Sequence, residues 1–150
     1  SKVHRFKVGD EVFARPADFH IGTFAEYIAV NENDVALKPQ NLSMEEAASV
    51  PLVALTVWQA FVEQAKLEKG QKVFIQAGSG GVGIIAIQLA KYMGATVATT
   101  ASASSFDLVK SLGADVVIAT PGRLIAHLSL GYVDLSKVSY FIKVYYIPLF

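Results

Sequence analysis

Residues 72–93 run Lys72-Val-Phe-Ile-Gln-Ala-Gly-Ser-Gly-Gly-Val-Gly83 and then Ile84-Ile-Ala-Ile-Gln-Leu-Ala-Lys-Tyr-Met93, and they leave few choices of fold. Val73 to Ala77 is an apolar, partly β-branched run, which predicts a buried strand. Four glycines follow within six residues. Val82, Ile85, Ala86, Leu89, Ala90 and Met93 then recur at helical spacing, with Gln88 and Lys91 on the other face. Gly78-x-Gly80-x-x-Gly83 between a strand and a helix is the context that a dinucleotide fingerprint requires. Glycine turns where a Cβ would clash and lets the backbone approach a pyrophosphate, whose charge the helix N-terminus binds. The competing reading is a packing turn with no ligand.

The flanking segments extend the pattern. Gly94 is placed to cap the helix, Ala95 to Thr100 reads as a second strand, and Ser104 or Ser105 can open a helix through Phe106, Leu108, Val109 and Leu112 that stops at Gly113. Asp115 to Ala119 is a third strand. The order β-α-β-α-β predicts the mononucleotide-binding half of a doubly wound parallel sheet, an α/β fold. Ser139 to Pro148 is strongly strand-forming and is expected either as a fourth strand beside the first or as an unpaired apolar tail.

Upstream the chain is β-rich. Glu11 to Ala14, Gly22 to Val30 and Val35 to Leu37 are strand candidates, with Lys38-Pro39 ending the last. Ser43-Met-Glu-Glu46 is a capping box opening a helix. Leu52 to Leu67, with Leu55, Trp58, Phe61, Val62 and Ala65 as its apolar face, predicts an amphipathic helix that Gly70 stops. The expected division is a β-rich part at 1–42, linking helices at 43–70, and the nucleotide-binding part at 71–150, with 119–150 divergent.

A net charge of zero argues against an electrostatic nucleic-acid binder. The absence of cysteine removes disulfides, thiolate nucleophiles and thiolate metal ligands, and three scattered histidines make a zinc site unpromising, so no metal is expected. The longest apolar stretches fall short of a membrane span and no signal segment is visible, so the expectation is a cytoplasmic protein with no membrane partner.

Several motifs in order resemble the zinc-independent quinone oxidoreductases, the zeta-crystallin-like branch of the medium-chain dehydrogenases/reductases. They are Phe6-x-x-Gly-Asp-x-Val-Phe13, Gly22-Thr-Phe-Ala-Glu-Tyr27, Leu42-Ser-x-Glu-Glu-Ala-Ala48, Pro51-Leu-x-x-Leu-Thr-x-Trp58, Ala77-Gly-Ser-Gly-Gly-Val-Gly83 and Leu112-Gly-Ala-Asp115. The resemblance covers residues 3–118. It implies a partial GroES-like substrate domain before a partial Rossmann domain, in a shortened form of the enzyme. The implied activity is NADPH-dependent reduction of a quinone or an α,β-unsaturated carbonyl, in a chain compatible with a homo-oligomer.

The implied cofactor residues are Thr56 near the nicotinamide, Gly78, Ser79, Gly80, Gly81, Val82 and Gly83 at the pyrophosphate, and Thr100, Ser102 and Ser105 toward a 2′-phosphate. Thr99 to Ser105 holds no acid before Asp107, and an acid there would repel a 2′-phosphate, so NADP(H) is favoured over NAD(H). Ser105 stands where many members carry lysine. A polar loop with an N-cap is the plainer reading of Ser102 to Ser105. Phe24 and Tyr27 are expected in the core. No catalytic acid or base emerges, and a module that binds NADP(H) without turnover stays open.

After Ile118 a second resemblance enters. Ala119-Thr-Pro-Gly-Arg-Leu-Ile-x-His-Leu128 and Gly131-x-Val-Asp-Leu-Ser-Lys-Val-x-Tyr140 are similar to the Thr-Pro-Gly-Arg region of DEAD-box RNA helicases. That resemblance implies RNA-backbone contacts at Thr120, Gly122 and Arg123, but Lys143-Val-Tyr-Tyr-Ile147 replaces the family's acidic box. The expectation is a composite chain whose helicase-like piece cannot hydrolyse ATP.

Overall fold

The computed structural model describes residues 3–18, 22–119 and 140–142. It divides into two compact units, Ser1–Leu52 and Val53–Phe150.

In the first unit, β1 (Val12–Ala14) pairs antiparallel with β2 (Val35–Leu37), Phe13 opposite Ala36. The Lys38 ammonium donates to Leu42 O at 2.6 Å and lies 3.3 Å from a Glu11 carboxylate oxygen, closing the end of β2. The capping box forms as the sequence predicts. Ser43 N–H donates to the Glu46 carboxylate and Glu46 N–H to Ser43 Oγ, opening α1 (Met44–Ser49). Residues 22–30, expected as a strand, form bends and irregular backbone instead. Phe24, Tyr27, Ile28 and Val30 are spaced three, one and two residues apart, so no strand face collects them. Phe24 and Tyr27 are correspondingly exposed and lie outside any core.

Pro51 begins α2 (Pro51–Trp58), where its missing N–H costs nothing. The helix widens into a π-turn over Gln59–Gln64, with Ala65 N–H bonded to Ala60 O, and stops at Lys66, whose φ is +49°. Gly70, the expected stop, instead turns the chain toward the next strand at φ +86°. The expected apolar face holds only in part: Phe61 goes inward as predicted, Val57 joins it, and Leu55 and Trp58 remain about half exposed. α2 is apolar around most of its circumference, so periodicity could not choose between the two stripes.

The second unit carries a parallel sheet. β3 (Lys72–Ile75), β4 (Thr96–Ala101), β5 (Val116–Ala119) and β6 (Tyr140–Ile142) lie in the order β5-β4-β3-β6. α3 (Gly81–Tyr92) connects β3 to β4, and α4 (Phe106–Ser111) connects β4 to β5. Both helices end as Gly94 and Gly113 predict. Gly94 has φ +81° and Gly113 φ +105°, and Ala95 N–H reaches back to Ala90 O as Ala114 N–H does to Val109 O. The fourth strand sits beside the first, Phe74 opposite Phe141, so that alternative prevails over the unpaired tail for 140–142. Residues 120–139 and the rest of the apolar tail lie outside the described residues.

Val73 and Ile75 of β3, Val97 of β4, Ile87 and Ala90 of α3, Val109 of α4 and Phe61 are buried in one cluster, and this core holds the sheet edge described next.

Candidate cofactor-binding site

In a parallel sheet of this order the chain leaves β3 toward β4 on one side, while β6 lies on the other. Ligands of open α/β sheets bind at the carboxyl ends of the strands where the order reverses, and the glycine turn leaves β3 at that place.

The turn is built from Ala77 onward. Ala77 N–H donates to Thr100 Oγ1 at 2.9 Å and Gly78 N–H to Thr100 O at 2.8 Å, so the end of β4 holds the start of the turn. Ala77 takes φ +58°, a left-handed conformation that costs a residue with a Cβ roughly 1–2 kcal/mol. Its carbonyl accepts Gly80 N–H at 3.0 Å, and Ile84 N–H bonds Gly80 O at 3.0 Å as α3 begins.

The four glycines divide into two kinds. A Cβ on Gly78 would lie 2.1 Å from Thr99 Oγ1, and one on Gly83 would lie 2.3 Å from Ala77 O and 2.7 Å from Gly78 Cα. Both residues are buried, so Gly78 and Gly83 are glycine because helix, turn and strand meet there. Gly80 and Gly81 are exposed. A Cβ on Gly81 would meet only Val53 Cγ1 at 3.6 Å, and one on Gly80 would lie 3.3 Å from Ala77 O, a tight contact, on a backbone at φ −78° and ψ 164° that any residue adopts. Packing therefore demands glycine far less at 80 and 81 than at 78 and 83.

The amides supply the chemistry. Among the described residues, the bonds of this turn use the N–H groups of Ala77, Gly78, Gly80 and Ile84 and leave those of Ser79, Gly81, Val82 and the buried Gly83 without an assigned acceptor. Ser79, Gly81 and Val82 sit at the positive end of a 12-residue helix whose N-cap carries no side-chain bond. Uncommitted donors at a helix N-terminus suit a diphosphate. The geometry therefore fits the group that the fingerprint implies.

Past β4, Ser102 Oγ lies 3.0 Å from Ser104 Oγ and 3.1 Å from Ser105 Oγ. Ser105 precedes α4 without capping it through its side chain, and Ser102 makes no cap bond either. The plainer N-cap reading thus lacks its bonds, and three neighbouring hydroxyls gather at the carboxyl end of β4. Thr100, expected to touch cofactor, is buried beneath the turn as its anchor. Thr56 is exposed on α2, one helical turn from the Val53 that approaches Gly81.

Sequence reasoning missed Thr99, whose buried hydroxyl donates to Ile75 O at 2.7 Å and occupies the space beside Gly78. It also missed the positive φ of Ala77. The paired threonines closing an otherwise apolar strand were the available signal.

Comparison with known proteins shows what the chain is similar to. Residues 81–131 match the zinc-binding dehydrogenase family. The match to this dehydrogenase family begins at the first residue of α3 and takes in β4, the serine cluster, α4 and β5. Among curated relatives, the chain is 44% identical over 120 residues to the mitochondrial NAD(P)H oxidoreductase RTN4IP1 of Danio rerio, covering 77% of this chain and 31% of that protein. It is 44% identical over 129 residues to the 2-methylene-furan-3-one reductase of Solanum lycopersicum, covering 79% of this chain and 32% of that one. The quinone oxidoreductase of Thermus thermophilus, solved with and without NADPH, superposes with a TM-score of 0.64 at 35% identity, over 73% of this chain and 37% of its own. The chain thus spans about a third of the length of the curated relatives it matches.

These neighbours support the oxidoreductase resemblance and an α/β, partial Rossmann fold. They also correct the sequence reading at its C-terminal end. The dehydrogenase match continues through residue 131, past Ile118, and the helicase resemblance of 119–142 gains no support. Among the described residues no helix is long and apolar enough to cross a membrane.

Proposed function

We propose that this chain carries the cofactor-binding half of a zinc-independent, NADPH-dependent oxidoreductase that reduces quinones or α,β-unsaturated carbonyls. The observation that carries the reading is the uncommitted set of amides at Ser79, Gly81 and Val82, on the switch-point edge of the sheet. The names of the relatives support the reaction class, and the chain's lack of cysteine supports the zinc-free branch.

In this reading the amides of Ser79, Gly81 and Val82 hold the diphosphate, and Gly80 and Gly81 let it come close. Ser102, Ser104 and Ser105 offer hydroxyls to a 2′-phosphate, with no carboxylate before Asp107 to oppose it. Thr56 faces the nicotinamide end. The bound nicotinamide supplies the hydride. The described residues bind and orient it, and no acid or base among them is required.

Titration with NADPH and NADH, followed by fluorescence, tests the proposal. Charged-group hydrogen bonds contribute about 1.5–3 kcal/mol, so NADPH should bind at least about tenfold more tightly than NADH. Gly80→Val keeps an allowed backbone while filling the approach, and should weaken NADPH binding by about tenfold or more. Unchanged affinity in that variant would refute the assignment. Binding without NADPH oxidation, with quinone present, would favour a module without turnover.

A further inference from the structure

We infer that Thr100 is the positioning residue of the phosphate turn, holding Ala77 in its left-handed conformation so that the amides beyond it remain available to a ligand. The inference rests on the cofactor reading above and deepens it. Thr100 is 1% exposed, so it meets no ligand directly. Its hydroxyl oxygen accepts Ala77 N–H at 2.9 Å and its carbonyl accepts Gly78 N–H at 2.8 Å.

One residue therefore grips two consecutive amides, and they are the two on either side of the strained φ. A left-handed alanine persists only where its surroundings over-determine it. The turn it sets is then closed by Ala77 O, which accepts Gly80 N–H and lies against Gly83. If the first grip is lost, Ala77 can relax to an ordinary φ, and its carbonyl then leaves both partners. Valine at position 100 has nearly the same shape but no acceptor, so Ala77 N–H would lose the partner that holds it. Thr99 differs: its hydroxyl donates to Ile75 O at 2.7 Å and lies 3.5 Å from Thr100 O, but it accepts neither Ala77 N–H nor Gly78 N–H.

The experiment measures NADPH affinity, melting temperature and the Ala77 Cα and Cβ chemical shifts, which report the sign of φ. Thr100→Val should weaken NADPH binding about tenfold and move the Ala77 shifts away from the left-handed pattern. Thr100→Ser, which restores the oxygen, should bind within about threefold of the wild type. Val97→Ala, on the same strand and fully buried, should lower the melting temperature yet keep both the affinity and the shifts.

Glycine adopts the left-handed conformation unaided, so Thr100→Val in an Ala77→Gly background should lose much less affinity than it does alone. That pair also serves if the single variant folds poorly. Wild-type affinity in Thr100→Val, or an equal loss in Val97→Ala, would overturn the inference. A wild-type chain that binds no NADPH refutes the cofactor reading instead. The Ala77 shifts then decide alone, and shifts unchanged in Thr100→Val overturn the positioning role.

Discussion

Ala77 and the glycines after it show that identical residue types in one motif serve different physical ends. Gly78→Ala and Gly83→Ala drive a methyl group into Thr99 and into the Ala77 carbonyl, and each should destabilise the chain by about 3 kcal/mol in urea unfolding. Gly81→Ala meets only Val53 Cγ1, at an ordinary contact distance of 3.6 Å, at the first position of α3 and should stay within about 0.5 kcal/mol of wild type, while NADPH affinity falls by about tenfold. An equal stability loss at positions 78 and 81 would contradict this division. Ala77→Gly relieves a left-handed strain against the greater freedom of unfolded glycine, and should stabilise by at most about 1 kcal/mol. The fingerprint itself announces glycine at 78, 80 and 83. Which of them pack, and which lie open, depends on Thr99 and Ala77 O, whose placement across the strands no local pattern encodes.

The elements were mostly readable where period and punctuation agreed. β3, α3, β4, α4 and β5 each have an apolar repeat bounded by glycine or serine, and each formed within a residue or two of its expected limits. α2 was readable as a helix but not by face, because apolar residues surround it. Residues 22–30 failed as a strand because their apolar spacing fits no period. Asp115 ties three elements together: its carboxylate accepts Val97 N–H at 2.7 Å and pairs with Lys91 of α3 at 2.9 Å. Desolvation pushes its pKa up, but the Val97 N–H and the Lys91 ammonium outweigh this and hold it below the ordinary aspartate value. A lowered folded-state pKa gives stability that is present above the unfolded value near 3.9 and is lost as pH falls through the folded one. Asp115→Asn should therefore lower the unfolding free energy at pH 7 by about 0.5–1.5 kcal/mol, the pair being partly screened by solvent, and the difference should vanish in acid. A constant difference from pH 7 to pH 2 would contradict the linkage.

At the scale of the whole molecule, the fourth strand settles where the site lies. By pairing with β3 on the side away from β4, Tyr140–Ile142 makes the exit of β3 a point where strand order reverses, and the glycine turn leaves the sheet there. Residues rich in aromatic and β-branched side chains predicted that strand; its place was legible because an apolar run after β5 has few edges left to join. A ligand held only by the folded chain must raise its stability by mass action, about 2.7 kcal/mol at a hundred times the dissociation constant. NADPH should therefore raise the melting temperature of the wild type and much less that of Gly81→Ala. The most direct test is an amide-proton titration of the isotopically labelled chain with NADPH. The account predicts saturable shifts at Ser79, Gly80, Gly81 and Val82, accompanied by Ser102 and Ser105, at one common dissociation constant. Silence at those amides while other residues respond would contradict it.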